Sequence, residues 1–228
     1  MDNRYSKEYF DHLRKDYEKK CRWTQDRIKN VMKLAQVKPG ELILDLGCGV
    51  GTFMIECSKA RAVVTGIDAS DLALKVAKEL FKRYGRGKAE FIKADVSFLP
   101  FENEAFDGII CADLIEHLMP DTYMRMIFEC NRVLKKAGRL SIYLPNPAHL
   151  FEILRRHNLI LRRDESHIHF KNSEYLKTTL QEARFDVIRS YFKPSHIPIF
   201  NLVERLLMFT PFISSLFRRR ICIVARKP

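Results

Sequence analysis

The sequence predicts an α/β fold, a doubly wound and mostly parallel seven-stranded sheet with helical additions at both ends. Three observations support this. From Glu41 onward, short apolar runs alternate with helix-length segments, and parallel strands require crossovers of that length. The run Leu42-Ile43-Leu44-Asp45-Leu46 then breaks into Gly47-Cys48-Gly49-Val50-Gly51, and a helical pattern resumes at once. Glycine lacks a Cβ and tolerates positive φ, so such a turn leaves bare backbone for a ligand to lie against. Finally, Asp45, Asp68, Asp95 and Asp113 each fall near the end of a strand, at the rim where open α/β sheets hold ligands.

Two helices lead, over residues 6–20 and 24–36, the second closed by Lys38-Pro39-Gly40. A strand over 41–46 hands over to a helix over 51–60. A strand over 62–67 hands over to a helix capped by Ser70 that runs to about Tyr84. Strands over 88–93 and 106–112 come next. Pro120-Asp121 opens a helix expected to end near Lys136-Ala137-Gly138, ahead of a strand over 139–144. A helix over 173–183 and strands over 185–192 and 220–226 complete the sheet. The chain reads as one domain, 1–228: a helical lid at 1–38, a core at 39–145, and 146–228 supplying a cap, the last two strands and a helical insertion at 196–217.

Composition bounds the possibilities. With 228 residues, 46% hydrophobic and 30% charged, the chain suits one globular domain. It has no uninterrupted apolar stretch of about eighteen residues, which argues against a spanning helix. The polar start Met1-Asp2-Asn3-Arg4-Tyr5 lacks a signal-peptide core. Cysteines at 21, 48, 57, 111, 130 and 222 form no CxxC pair, which argues against a zinc knuckle or disulfide frame and for reduced thiols in the cytoplasm. The net charge of +12 is uneven: residues 1–149 carry 25 Lys/Arg against 21 Asp/Glu, and residues 150–228 carry 15 against 7. Arg155-Arg156, Arg162-Arg163 and Arg218-Arg219-Arg220 either attract an anionic partner or are solvated surface.

The glycine loop separates two nucleotide readings. A dinucleotide fingerprint reads GxGxxG, whereas this turn reads Gly47-x-Gly49-x-Gly51 with an acid inside the strand before it. The second strand, Val63-Val64-Thr65-Gly66-Ile67-Asp68, ends in a carboxylate able to accept from both hydroxyls of a ribose. The alternative for Asp68 is a helix N-terminal acid, but Ser70 is the better placed cap and leaves Asp68 free for a ligand. Downstream lie Ala94-Asp95-Val96 with Leu99-Pro100-Phe101, Phe106-Asp107 leading to Glu116-His117-Leu118, and Leu134-Lys135-Lys136-Ala137-Gly138 leading to Pro145-Asn146. As an ordered set these motifs resemble the class I S-adenosylmethionine-dependent methyltransferases, in particular the small-molecule group related to ubiquinone-biosynthesis methyltransferases. The resemblance covers residues 40–145, resumes at 166–170 and the helix over 173–183, and returns at 221–225. A nicotinamide enzyme would not need the last two motifs.

The resemblance implies the Rossmann-like methyltransferase fold, S-adenosyl-L-methionine as methyl donor and S-adenosyl-L-homocysteine as product. It implies that Asp45, Gly47, Cys48, Gly49 and Gly51 surround the methionine moiety, with Asp45 near its ammonium. Asp68 would hold the ribose with Ala69 beside the adenine, Asp95 and Val96 would meet the adenine, and Ala112 and Asp113 would lie under the sulfonium. One departure stands out: Gln181-Glu182-Ala183-Arg184-Phe185 carries Arg where relatives carry Gly.

Methyl transfer from a sulfonium asks chiefly for positioning, plus a base when the acceptor is a hydroxyl. His117 is the first base candidate, since imidazole titrates near neutrality; otherwise it shapes its loop. His167 is the second, as an acceptor contact or a turn histidine; with His169 it has no third ligand at metal spacing, so no metal is expected. The acceptor reads as a small molecule, lipid-, isoprenoid- or quinone-like, with O-methylation preferred. Within 196–217 an apolar stripe at 199, 202, 203, 206, 207, 213, 216 and 217 runs into three arginines, and Thr210-Pro211 opens a second short helix. That stretch suits a peripheral membrane interface or a greasy pocket, and its alternatives are a sheet-edge cover and a homodimer contact. Rival functions are a nucleic-acid methyltransferase, made unlikely by the missing Asn/Asp-Pro-Pro-aromatic motif at 112–115, and a non-catalytic S-adenosylmethionine-binding regulator.

Overall fold

Among the described residues the apolar runs form seven strands: β1 (Leu42–Leu46), β2 (Val63–Asp68), β3 (Ala89–Lys93), β4 (Phe106–Ala112), β5 (Leu134–Pro145), β6 (Asp186–Lys193) and β7 (Arg220–Arg226). The structure, a computed structural model, describes residues 6–159, 169, 171–194 and 198–228. All seven strands join one sheet in the order β3-β2-β1-β4-β5-β7-β6. Pairing is parallel from β3 through β5, and β7 runs antiparallel between β5 and β6. Strand order reverses between β1 and β4, and that reversal opens the crevice where such sheets take ligands.

The helices are α1 (Lys7–Glu18), α2 (Arg22–Ala35), α3 (Thr52–Lys59), α4 (Asp71–Tyr84), α5 (Pro120–Val133), α6 (Leu150–Arg156), α7 (Ser173–Glu182) and α8 (Pro198–Leu207). Local chemistry explains their starts. The Ser6 hydroxyl accepts from the Tyr9 N–H, Ser70 from Ala73, and the Asn172 side chain from Tyr175, each cap being worth about 1 kcal/mol. The core lies in two layers because strand side chains alternate faces. On β4, Ile110 and Ala112 pack with Ile28, Val31 and Leu34 of α2 and with Met54 of α3, while Ile109 and Cys111 pack with Met126 and Ile127 of α5 and Leu176 of α7.

Three expectations need correction. The helix opened by Pro120 ends at Val133, three residues before the Lys136-Ala137-Gly138 stop read from sequence. Leu134 is fully buried and pairs with Phe106, so the strand begins there and bulges over Lys135–Gly138 before Arg139 resumes pairing with Gly108. Thr210-Pro211 opens no α-helix; the chain turns there and makes a 3₁₀ turn at Ser214–Phe217. Arg184, at the glycine position of the resemblance, keeps the turn but does so at φ 62°, in left-handed backbone that a side chain tolerates poorly.

Long-range ion pairs fix the additions. The Arg139 guanidinium donates to the Ala35 carbonyl at 2.5 Å and the Gln36 carbonyl at 3.0 Å, and pairs with Glu41, tying the C-terminus of α2 to the start of β1. Tyr17 of α1 is buried and donates to Glu56 of α3 at 3.0 Å. His149, just before α6, accepts the Phe151 N–H on Nδ1, so its proton sits on Nε2 and is donated to Glu204 of α8 at 3.0 Å. Both partners are about 2% exposed, so this bond pins α8 onto the start of α6.

Candidate cofactor cleft and its acceptor side

The cleft is built from the C-terminal ends of β1, β2 and β4. Asp45 sits inside β1, opposite Gly66 of β2 and Ile110 of β4, and is 1% exposed. Its Oδ2 is buried without a hydrogen-bond partner. Burial pushes its carboxyl up to about 8, the nearby Arg27 cation opposing and Asp68 adding. A buried, unpartnered carboxylate oxygen is a place for a cation, and a ligand ammonium fits it. After β1 the chain turns through Gly47, Gly49 and Gly51, all at positive φ. A Cβ at Gly47 would overlap Leu114, whereas beside Gly49 the space is open, so the backbone there faces the cleft. Cys48 is buried, and burial drives its thiol well above its ordinary value, so it is packing and not a nucleophile.

Asp68 closes β2. The sequence reading left it free, but both its oxygens accept backbone N–H groups, Gly49 on Oδ2 and Ser70 on Oδ1, each at 2.9 Å. The glycine turn folds back over the strand end and supplies the first. Burial raises this carboxyl, with the backbone donors opposing, and each oxygen keeps a lone pair for a hydroxyl donor. Ser70 caps α4 as expected. Ala69 is exposed beside it, Asp95 is exposed with Oδ1 held by the Ser97 N–H and hydroxyl, and Val96 is buried under that turn. The backbone and hydroxyl donors of Ser97 keep the Asp95 carboxyl low.

Ala112 is buried at the tip of β4, and Asp113 follows at φ 53°. Two cations that the sequence reading did not single out flank Asp113. Arg27 of α2 donates Nε to Oδ2 at 2.5 Å and lays its guanidinium 4.6 Å over the Phe53 ring; Arg220 of β7 donates to Oδ1 at 2.5 Å and lies over Tyr143. Burial pushes the Asp113 carboxyl up, but Arg220 and Arg27 outweigh it and hold it below the usual range. A signal for Arg27 was present: it sits in the inward stripe of α2 with Thr24, Ile28 and Val31, where a cation needs a partner. Arg218, Arg219 and Arg220 do not form an outward basic cluster; their guanidiniums lie over Phe192, Phe151 and Tyr143.

Beyond Asp113, a 3₁₀ turn at Ile115–His117 carries Glu116 and His117. Glu116 is 4% exposed, its Oε2 has no partner, and burial, with Asp113 adding, pushes it up to about 8. His117 is half-buried, close enough to Asp113 to favour the charged form of that carboxylate. Lys171 is buried beneath the turn and donates to the Ile115 and Leu118 carbonyls; burial lowers its ammonium to about 8, with Glu116 opposing. Glu116, Lys171, His169 and Glu152 line a small cavity closed by Leu144, Pro145 and Pro147. His169 is held against this turn, its backbone N–H donating to the Glu116 carbonyl at 3.3 Å. His167 lies outside the described residues. Among the described residues no group of three or more His, Cys, Asp or Glu could hold a metal ion.

Comparison with known proteins agrees with this fold. The methyltransferase-domain family matches residues 43–138, which run from β1 through the bulge of β5. A demethylmenaquinone methyltransferase of Bacillus cytotoxicus is 33% identical over 115 residues, 49% of this chain and 48% of that protein. A ubiquinone biosynthesis O-methyltransferase of Coxiella burnetii is 33% identical over 114 residues, 50% of this chain and 47% of that protein. The match thus spans about half the length of these curated relatives. An S-adenosylmethionine-dependent methyltransferase of Methanosarcina mazei shares the fold with a TM-score of 0.65 at 22% identity, covering 88% of this chain and 96% of that one. Residues 43–138 thus match the methyltransferase-domain family, and the sheet built around them has the fold of a solved S-adenosylmethionine-dependent methyltransferase.

Proposed function

We propose that this protein transfers a methyl group from S-adenosyl-L-methionine to a small, apolar, quinone-like acceptor, with a hydroxyl oxygen as the preferred atom. The observation that carries the donor side is the unpartnered buried Oδ2 of Asp45 beside the open backbone at Gly49. Asp45 takes the donor's ammonium there, and the turn of Gly47, Cys48, Gly49 and Gly51 faces its carboxylate. Asp68 accepts from the ribose hydroxyls through its two remaining lone pairs, beside Ala69. Asp95 and Val96 border the adenine, and Ala112 and Asp113 border the sulfonium. When bound, the donor supplies a methyl already activated for in-line displacement, so the protein's task is alignment and proton removal.

Two groups on the Ile115–His117 turn serve as base. His117 has imidazole chemistry, and Glu116 has a buried carboxyl poised near neutrality over the acceptor cavity. Lys171 holds the turn through two carbonyls, and its ammonium favours the charged form of Glu116. The quinone-like class is supported by the names of the relatives, one acting on demethylmenaquinone and one in ubiquinone biosynthesis. Methyl-labelled donor incubated with a prenylated catechol, a demethylated quinol or bulk RNA separates the readings. Label in the organic extract is expected; label in RNA, or donor binding with no transfer to any of them, contradicts the proposal.

A further inference from the structure

The insertion between β6 and β7 has a side that the fold does not use. α8 turns Glu204 inward onto His149 and buries Met208. That leaves Leu202, Val203 and Leu206 exposed on its outer surface. The turn that follows adds Phe209, 78% exposed, and Phe212, fully exposed. Phe212 stands at φ 66°, left-handed backbone that opposes its Cβ, so the turn holds an aromatic ring clear of the protein against both strain and hydration.

Charge gathers beside this ridge. Lys29 and Lys33 are exposed one helical turn apart on α2, and Arg205 is exposed on α8. Lys193, at the end of β6, lies within electrostatic reach of all three; burial lowers its ammonium, and these cations add to the effect. An apolar ridge bordered by cations matches the interfacial zone of a bilayer, where rings sit at headgroup depth and cations meet lipid phosphates. A second copy of the chain fits less well, because a two-fold contact through the ridge would bring these like charges together. No described helix is long and apolar enough to cross a membrane, so the contact would be peripheral.

We propose that the face formed by Leu202, Leu206, Phe209 and Phe212, flanked by Lys29, Lys33, Lys193 and Arg205, docks on an anionic phospholipid surface. Arg218, Arg219 and Arg220 take no part, since they fold over rings of the protein. Flotation of the full chain with phosphatidylcholine vesicles, with and without phosphatidylglycerol, tests this. The protein should float with the anionic vesicles, float less with pure phosphatidylcholine, and be partly released by salt. The Phe209→Ser/Phe212→Ser pair should bind at least about tenfold more weakly to either vesicle. Lys29→Ala and Lys33→Ala should each lose about fivefold on anionic vesicles alone. Melting curves check that these surface variants stay folded.

Failure of the unaltered protein to float with anionic vesicles overturns the proposal. So does unchanged flotation of the Phe pair, or a lipid-free dimer that Phe212→Ser dissolves, which would assign the face to a second copy. Flotation needs neither donor nor acceptor, so its failure leaves the methyl-transfer reading standing.

Discussion

Asp45 and Glu116 share one anomaly: each is a buried carboxyl with an unpartnered oxygen, and burial pushes each up to about 8. The anomaly has a thermodynamic sign. The folded state holds the proton more tightly than the unfolded chain, so the stabilisation is complete below the ordinary values, 3.8 for Asp45 and 4.5 for Glu116, and is lost as pH rises through about 8. Urea unfolding at pH 5 and pH 8 should therefore show the protein weaker at the higher pH, with a smaller difference in Glu116→Gln. Equal pH dependence of the two proteins would remove Glu116 as the titrating group. The catalytic counterpart is a rate that rises with pH toward 8 and loses that rise in Glu116→Gln, whereas His117→Ala tests the imidazole. Asp45, Asp68 and Gly47 to Gly51 were legible from sequence because local spacing sets their places on the rim. Arg27 left a signal as a cation in the inward stripe of α2, but its partner, like that of Arg220, was not legible, because their pairing with Asp113 joins positions 86 and 107 residues apart.

Elements were read well where the signal was a cap and less well where a partner decided. Ser70 stops and starts chain direction by its own hydroxyl, and α4 begins where it says. The end of α5 depended on Phe106 recruiting Leu134 into the sheet, which no local residue announces. The Arg184 turn offers a test at this scale. Relieving its left-handed backbone, Arg184→Gly should raise stability by about 0.5–1 kcal/mol in chemical unfolding. A destabilised variant would mean that the side chain outweighs the strain. The His149–Glu204 bond should hold the insertion in place. Removing one partner of a buried pair costs about 3 kcal/mol or more, so Glu204→Ala should speed hydrogen exchange across α8 and spare β1 and β4. Uniform loosening of the sheet, or no change in α8, would argue against that role.

At the scale of the whole molecule, the sheet's reversal between β1 and β4 sets the cleft, and the additions close it from two sides. From one side α2, tied down by Arg139, delivers Arg27 to Asp113; from the other β7 delivers Arg220 to the same carboxylate. Asp113 is thus a clamp between α2 and the start of β7, and the cleft's charge balance depends on segments far apart in the chain. The seven strands and their mostly parallel pairing were evident from alternation alone, whereas the closure came only from tertiary contacts. The central claim is that the rim holds the methyl donor through Asp45. Calorimetric titration with S-adenosyl-L-homocysteine, on the unaltered protein and Asp45→Asn, tests it most directly. The account predicts one-to-one binding that weakens at least about tenfold in the variant; no binding, or equal affinity in both, would contradict it.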